Sequence, residues 1–276
     1  MSLLTPMLRS SPLTDWFSDA QRVQGMLDFE AALAQAQAVC GMVPPEAVGP
    51  IVAACRHETI DFAALGEAAV GAGNLAIPLV KQLTVQVKAR DPEAARYVHW
   101  GATSQDAIDT GLVLQLRGAL DAAETLLEQL LAALALQADR YRDTVMPGRT
   151  WMQHALPVTF GLKLAGTLDA LLRWQQRLRE MRPRLLVLQF GGAAGTLDAL
   201  KEKGPAVGQA LAQILGLSLP DTPWHSQRDR LLEAGAWFAG VCGTLGKFAN
   251  DFSLLMQTEV AEVGEPVAEG RGGSST

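Results

Sequence analysis

Apolar residues recur along most of the chain at the three- and four-residue spacing of an amphipathic helix, and strict alternation of apolar and polar residues is hard to find. From Ser104 onward one apolar face continues for about six turns. The face is marked by Leu112, Leu116, Ala119, Leu120, Ala123, Leu127, Leu130 and Leu134. Pro147-Gly148 is expected to end this helix and reverse the chain, because proline lacks an amide hydrogen. The pattern predicts an all-α fold.

Two further long helices follow the same pattern. The first carries a stripe of Leu164, Leu168, Leu171, Leu172 and Leu178. The second runs from about Gln227, and its apolar positions are Phe238, Val241, Leu245, Phe248, Phe252 and Leu255. Such near-heptad spacing suits packing against long neighbouring helices. We therefore expect a helix bundle shared between the subunits of a homo-oligomer; the alternative is a monomeric helical scaffold.

The N-terminal part has a different pattern. Residues 14–58 predict short helices that are broken at Gly41–Pro45 and at Gly49-Pro50. The sequence therefore predicts a small-helix N-terminal domain over residues 1–103 and a long-helix bundle domain over residues 104–276.

Composition excludes several classes of protein. The 276 residues are 49% hydrophobic, which is typical of a folded chain with a large core. The net charge of −6 and the scattered basic residues argue against a nucleic-acid partner and favour a small-molecule one. The cysteines Cys40, Cys55 and Cys242 are odd in number and lack metal-site spacing, which indicates the reducing cytoplasm. No apolar run approaches the roughly 20 residues of a membrane span, and no signal peptide is recognisable, so neither membrane insertion nor export is expected.

A first stretch with chemical potential runs from Tyr97 to Asp106. Thr103 and Asp106 have the spacing of a capping box, with the hydroxyl accepting an amide of the first turn, so a helix is predicted to start here. A helix start with free amides, hydroxyls and the adjacent His99 can bind a carboxylate. The alternative is an ordinary helix cap.

A second stretch, residues 148–161, concentrates groups that can bond an oxyanion at an expected loop-to-helix junction. They are Arg149, Thr150, Gln153, His154 and Thr159. Burying polar groups is costly unless they find partners, so they either bond one another or line a polar pocket, which is the reading we favour. A third stretch, residues 265–276, is rich in glycine and proline and predicts a mobile loop that resembles a linker when taken alone.

In this order and at these separations, the three stretches resemble the three signature regions of the fumarase/aspartase superfamily, over essentially the whole chain. Within that superfamily, residues 73–80, 148–161 and 223–230 look most similar to the bacterial carboxymuconate cycloisomerases of protocatechuate catabolism. The resemblance implies a fumarase/aspartase-like long-helix bundle and a homotetramer with active sites shared between subunits. It also implies cycloisomerisation of a tricarboxylate, 3-carboxy-cis,cis-muconate, to a lactone, with no metal and no organic cofactor.

The third signature region reads Gly-Ser-Ser-x-Met-Pro-x-Lys-x-Asn in the superfamily, and this chain ends one residue before the methionine. The resemblance implies that the C-terminal domain is absent from this chain. Because the lysine and asparagine would activate the loop serine, we expect the chain as it stands to be inactive or nearly so.

The resemblance also implies roles for individual residues. Residues expected to bind the substrate are Asn74, His99, Thr103, Ser104, Gln105, Arg149, Thr150 and Gln153. Trp151 and His154 are expected at the reacting centre. The proton carrier is expected to be Ser274 or Ser275, of which we favour Ser274.

Trp151 stands where most elimination enzymes of the superfamily carry histidine. Hydroxide and amines need a general acid to depart, whereas a carboxylate with a pKa of about 4 does not. An indole at this position therefore favours a cycloisomerase, although Trp151 could also serve packing. The open alternatives are a β-elimination lyase of the fumarate, adenylosuccinate or argininosuccinate type and a non-catalytic helical oligomer. A sulfonate at carbon 3 would satisfy the same anion-binding residues as a carboxylate.

Overall fold

The computed structural model describes residues 11–266. Over these residues the regular secondary structure is helical apart from one two-stranded antiparallel hairpin, so the all-α class is confirmed. The helices are α1 (Leu13–Trp16), α2 (Asp19–Val39), α3 (Pro45–Ala54), α4 (Phe62–Ala72), α5 (Ala76–Arg90), α6 (Ser104–Arg140), α7 (Phe160–Leu185), α8 (Gly204–Leu215) and α9 (Asp229–Leu255). The strands are β1 (Val145–Thr150) and β2 (Gln153–Thr159), and short 3₁₀ helices span His57–Thr59, Ala94–Tyr97 and Asp198–Lys203. Within residues 11–266 no helix combines the length and the apolar character needed to cross a membrane.

The chain divides into two compact units. Unit 1 comprises Met1–Leu126 and Arg179–Glu233, and unit 2 comprises Leu127–Leu178 and Ala234–Thr276. The three long helices α6, α7 and α9 each contribute residues to both units. The predicted boundary at residue 103 matches the start of α6 but not the edge of a unit, and the predicted division into domains stays a prediction.

Unit 1 is built around α2. This helix packs against α3 and α8, and its residues Leu27, Phe29 and Leu33 are essentially inaccessible to solvent. α2 also lies against α6 at very short range, because Gly25 and Gly111 face each other. A Cβ added to Gly111 would lie 2.9 Å from the Met26 backbone nitrogen, so only glycine permits this approach.

Two predictions for the N-terminal helices are wrong. The stretch predicted as short helices contains the 21-residue α2, and α3 continues through Gly49-Pro50 instead of breaking there. Pro50 follows Pro45, the first residue of α3, by little more than one turn, so its missing amide removes a single hydrogen bond near the helix start. The predicted break at Gly41–Pro45 is confirmed, since α2 ends at Val39 and α3 begins at Pro45.

Unit 2 has its own apolar interior. Leu164, Leu171 and Trp237 are buried, and the Trp237 indole nitrogen donates to the Trp174 carbonyl at 2.9 Å. An aromatic cluster continues along α9, where the ring centroids of Phe248 and Phe252 are 4.7 Å apart. The apolar stripes that predicted α7 and α9 thus contribute to this interior only in part, since Leu172 is exposed and most of the α9 stripe is half-buried.

The hairpin of β1 and β2 replaces the predicted loop-to-helix junction, so that prediction is wrong. Its strands join at the two-residue turn Trp151-Met152, where both residues have positive φ angles, 52° and 60°. A turn with two positive φ angles matches the right-handed twist of a hairpin but usually carries Asn-Gly. Trp-Met is not such a pair, so this turn could not be recognised from its residues.

Candidate functional site

The start of α6 is organised by Asp106, which is fully buried. Its Oδ2 accepts hydrogen bonds from the backbone amides of Thr103 (3.0 Å) and Gly192 (2.9 Å). Its Oδ1 accepts from the Gly191 amide and from Gln189 Nε2, both at 3.0 Å. Burial raises the pKa of Asp106 above its ordinary value, and these hydrogen bonds work in the opposite direction. One carboxylate therefore fastens the segment 189–192 to the start of the helix.

The predicted helix start at Thr103 and Ser104 is confirmed, but the predicted cap is only half correct. The Asp106 side chain reaches back to the Thr103 amide, as a capping box requires. The Asp106 amide, however, bonds to the Thr103 carbonyl at 3.0 Å instead of the hydroxyl.

Gln189 is the second organising residue, and no motif or periodicity in the sequence indicated it. It is fully buried, and its side-chain oxygen accepts the Trp224 amide at 2.6 Å. This bond fixes which end of the amide is nitrogen, and that nitrogen lies 3.0 Å from Asp106 Oδ1 and 3.2 Å from His225 Nδ1. Because the amide nitrogen can only donate, His225 Nδ1 is the acceptor, and in the neutral ring the proton lies on Nε2.

The segment 223–230, which carries part of the resemblance, is held against α6. The Arg228 guanidinium makes two hydrogen bonds to the fully buried Asp109 carboxylate, at 2.6 and 2.8 Å. The Trp224 indole nitrogen donates to the Leu188 carbonyl at 2.9 Å. His225 is thereby placed within the same polar network as Asp106.

A glycine-rich loop completes this cluster. A Cβ added to Gly192 would lie 3.1 Å from the Gly101 carbonyl, and one added to Gly195 would lie 3.5 Å from His225 Cε1. Both glycines have positive φ angles, 68° and 81°. Unit 1 thus brings together the segment 99–106, the loop 189–195 and His225.

The sequence-predicted residues of unit 1 lie in or near this cluster with one exception. Thr103, Ser104 and Gln105 are half-buried at the start of α6. The ring of His99 is largely buried, with Nδ1 at 2.6 Å from Glu30 Oε1. Asn74 instead accepts the Ile77 amide at 3.1 Å near the start of α5, which is a local capping contact.

The sequence-predicted residues of unit 2 lie on the hairpin. Arg149 makes a bidentate ion pair with Glu262, at 2.7 and 2.8 Å, and this pairing lowers the pKa of the Glu262 carboxyl. Thr150, Gln153 and His154 are exposed side chains. A substrate carboxylate at Arg149 would therefore have to share or replace the Glu262 carboxylate.

The hairpin tip presents Trp151, which is 96% exposed, and borders an open cleft. The cleft has a volume of about 620 Å³, and its lining includes Arg149, Met152 and Leu162. A charged pair also lines it, with Lys163 Nζ at 3.0 Å from Asp251 Oδ2. Thr159 caps α7 by accepting the Leu162 amide at 3.1 Å.

The two predicted proton carriers, Ser274 and Ser275, lie outside the described residues. Within residues 11–266, no three side chains of the metal-binding types converge. The expectation that neither a metal nor an organic cofactor takes part stays a prediction.

Comparison with known proteins confirms the resemblance inferred from the sequence. A family model described as lyase matches residues 8–276. A protein of Pseudomonas aeruginosa named 3-carboxy-cis,cis-muconate cycloisomerase is 62% identical over 97% of this chain and 58% of its own length. A protein of the same name from Bradyrhizobium diazoefficiens is 55% identical over 99% of this chain and 61% of its own length.

Solved structures agree with these relatives. The crystal structure of the 3-carboxy-cis,cis-muconate lactonizing enzyme from Pseudomonas putida superimposes with a TM-score of 0.92 at 59% identity. The match covers 92% of this chain and 58% of that one, and it confirms the predicted fumarase/aspartase-like helical fold. The chain spans about three fifths of the length of the curated relatives that it matches.

Proposed function

Because the chain belongs to this lyase family, we propose that the protein is a cycloisomerase that converts 3-carboxy-cis,cis-muconate to a carboxymuconolactone. The observation that carries the proposal is the 55–62% identity to relatives bearing that name over almost the whole chain. The polar cluster at the start of α6 supports it, since the reaction needs a site for several carboxylates.

In the proposed reaction, one substrate carboxylate forms a carbon–oxygen bond to the far end of a double bond. The electron pair of that double bond moves onto the adjacent carbon and its carboxylate, giving an aci-carboxylate that is then protonated on carbon. Stabilising this negative charge is the main electrostatic task. Thr103 and Ser104, at the positive end of the α6 dipole, are proposed to bind one carboxylate, because free amides and hydroxyls at a helix start favour anions.

The hairpin is proposed to bind the rest of the substrate. Arg149, Thr150 and Gln153 supply donors for a second carboxylate, with His154 beside them, and the Trp151 indole supplies a flat wall for the diene. A largely exposed tryptophan at a hairpin tip can reach a neighbouring molecule, which fits active sites shared between subunits. Asn74, Gln105 and the proton carrier Ser274 or Ser275 keep the roles that the resemblance implies.

The test is turnover by the purified full-length protein of 3-carboxy-cis,cis-muconate, of its 3-sulfonate analogue and of succinate adducts such as adenylosuccinate. Loss of the diene absorbance with the carboxylate or the sulfonate substrate is expected, and the faster of the two identifies the group at carbon 3. Turnover of a succinate adduct with none of either muconate would replace the proposal by a β-elimination lyase. Inactivity on every substrate would favour the non-catalytic alternative.

A matched pair of variants tests the proposed carboxylate site. Thr103→Val removes a hydroxyl at the start of α6, and kcat/KM for the muconate should fall about tenfold, the effect of one lost hydrogen bond to a charged group. Thr125→Val removes a hydroxyl from the same helix, where it bonds only to the Asp121 carbonyl at 3.0 Å. Equal activities of the two variants would show that Thr103 does not touch the substrate.

We also propose that the protein is a cytoplasmic homotetramer whose core is formed by the long helices of all subunits. Most of the apolar stripe of α9 is only half-buried within one chain, and Leu136 and Leu172 are 67% and 46% exposed. Covering such surfaces favours association. Light scattering should give the mass of four copies, and a monomer at micromolar concentration would contradict the proposal.

A further inference from the structure

Glu30 is a carboxylate buried in an apolar environment. It lies in the middle of α2, its side chain is 2% exposed, and its helix neighbours Phe29 and Leu33 belong to the core. A buried carboxylate is costly unless a partner compensates its charge. Among residues 11–266 its hydrogen-bond partner is His99, through Oε1, and Oε2 has none. The environment of Glu30 therefore depends on His99 for compensation.

His99 is held in an unusual backbone conformation. Its φ angle is 60°, a left-handed value that side chains with a Cβ adopt at a cost of about 1 kcal/mol or more. Two residues of α2 hold the segment that contains His99. Glu30 contacts the His99 ring, and Gln37 Nε2 donates to the Trp100 carbonyl at 2.6 Å. Glu30 and Gln37 lie seven residues apart, which places both side chains on one face of the helix. A helix face thus fixes both the ring and the backbone of the segment before Ser104.

The bond to Glu30 determines which ring nitrogen of His99 is available. Nδ1 is engaged, and no hydrogen-bond partner of Nε2 is present among the described residues. Burial disfavours the charged ring, but the hydrogen bond and charge of Glu30, with a contribution from Asp106, outweigh it and raise the pKa of His99 above its ordinary value. The bond to Glu30 thus favours the protonated ring, in which Nε2–H can donate.

We propose that Glu30 is a positioning residue that holds the His99 ring through Nδ1 beside the start of α6, so that Nε2–H binds one carboxylate of the substrate. The inference rests on the proposed function, because it needs a polycarboxylate at this site. It adds to that function a buried carboxylate, on a different helix from the signature segment, that orients the histidine ring and favours its protonated form. Glu30 itself does not touch the substrate.

Glu30→Gln keeps the size of the side chain and removes its charge. Asp28→Asn is the matched control, because Asp28 is an exposed carboxylate on the same helix that accepts a hydrogen bond from Gln24. Circular dichroism should show that both variants fold. The ring signals of His99, identified by their loss in His99→Gln, are followed by NMR from pH 5 to 9.

In the wild type and in Asp28→Asn, His99 should titrate above its ordinary value of 6.5, and in Glu30→Gln it should titrate below its wild-type position. The two acidic groups that act on the ring are Glu30 from α2 and Asp106 from α6. An unchanged titration in Glu30→Gln would overturn the assignment of Glu30 as the partner that charges the ring.

Binding is measured with tricarballylate, an unreactive tricarboxylate, and turnover with the muconate. Glu30→Gln should raise Kd for tricarballylate and KM for the muconate about tenfold, with a smaller change in kcat. In a His99→Gln background it should have no further effect, because Glu30 acts only through the ring. Equal effects of Glu30→Gln with and without His99 would overturn the proposal.

Failure of the proposed function can be distinguished from failure of the positioning role of Glu30. A wild-type protein that does not turn over the muconate would reject the cycloisomerase, whereas the His99 titration and tricarballylate binding need no turnover. Weakened tricarballylate binding in Glu30→Gln alone would then still support the positioning role.

Discussion

Asp106 offers the most direct perturbation of the polar cluster in unit 1. Its two carboxylate oxygens accept four hydrogen bonds in a fully buried position. Asp106→Asn keeps one acceptor oxygen and replaces the other by a donating NH₂ group, so that two of the four donors lose their acceptor. Asp106→Ala leaves all four donors without one.

The expected loss of stability follows from the cost of buried donors without an acceptor, which is about 1–3 kcal/mol each. Two such donors predict a loss of about 2–3 kcal/mol for the asparagine variant, taken near the lower end because asparagine also removes the desolvation cost of a charge. The alanine variant should lose about 4 kcal/mol or more. A loss of 2–3 kcal/mol corresponds to an equilibrium constant for opening of the segment that is about 30- to 150-fold larger, and amide exchange accelerates in proportion.

Hydrogen exchange measured by mass spectrometry reports this opening, because the Gly191 and Gly192 amides are themselves donors to Asp106. Peptides covering residues 186–195 should exchange about 30- to 150-fold faster in Asp106→Asn and faster still in Asp106→Ala. Asp121→Asn is the control, since this exposed carboxylate lies on the same helix and pairs with Arg182. Less than threefold acceleration in Asp106→Ala would refute the view that this carboxylate fastens the loop.

The remaining predictions concern packing, turn strain, chemistry and pH. Gly111→Ala should destabilise the protein by about 1–3 kcal/mol, because the added Cβ meets backbone, whereas Gly66→Ala in the exposed α4 should stabilise it by up to about 1 kcal/mol; thermal unfolding checks both. Met152→Gly should slow hairpin amide exchange about threefold to tenfold, since glycine relieves a positive φ angle. Trp151→His should fold without raising muconate turnover, and a tenfold increase would show that a general acid limits the reaction. The raised pKa of His99 gives stability that is present below pH 6.5 and lost as pH rises through the raised value, so denaturant midpoints should fall in that range.

The long helices could be predicted from the sequence because their apolar stripes are long and continuous. The start of α6 at Ser104 was predicted correctly, and α9 begins at Asp229, two residues after the predicted Gln227. The end of α6 was less accurate, since the helix stops at Arg140 and not at Pro147-Gly148. An apolar stripe indicates a helix through residues spread over many turns, whereas the residue at which the helix ends depends on a few local hydrogen bonds.

The hairpin could not be predicted because its local signals point elsewhere. Pro147 and Pro157 lie opposite each other across the two strands, and proline is depleted in strands because it cannot donate a hydrogen bond. The turn residues Trp151 and Met152 are not those that positive φ angles favour. The structure therefore holds this turn against local preference, a situation that is frequent at functional sites.

Apart from Asp106, whose contact with the Thr103 amide was predicted, the polar groups that shape the candidate site in unit 1 could not be predicted, for a different reason. Glu30, Gln37, Asp106, Asp109 and Gln189 are each at most 3% exposed, although such residues usually lie at the surface. Periodicity assigns each of them to a helix or loop and gives no indication of partners that are up to 119 residues away in the chain. Buried polar groups need such partners, and here the partners are backbone groups and side chains from segments distant in the sequence. The geometry of the signature segment is therefore determined largely by residues outside it, so transplanting residues 97–106 alone into another helical scaffold should not transfer the site.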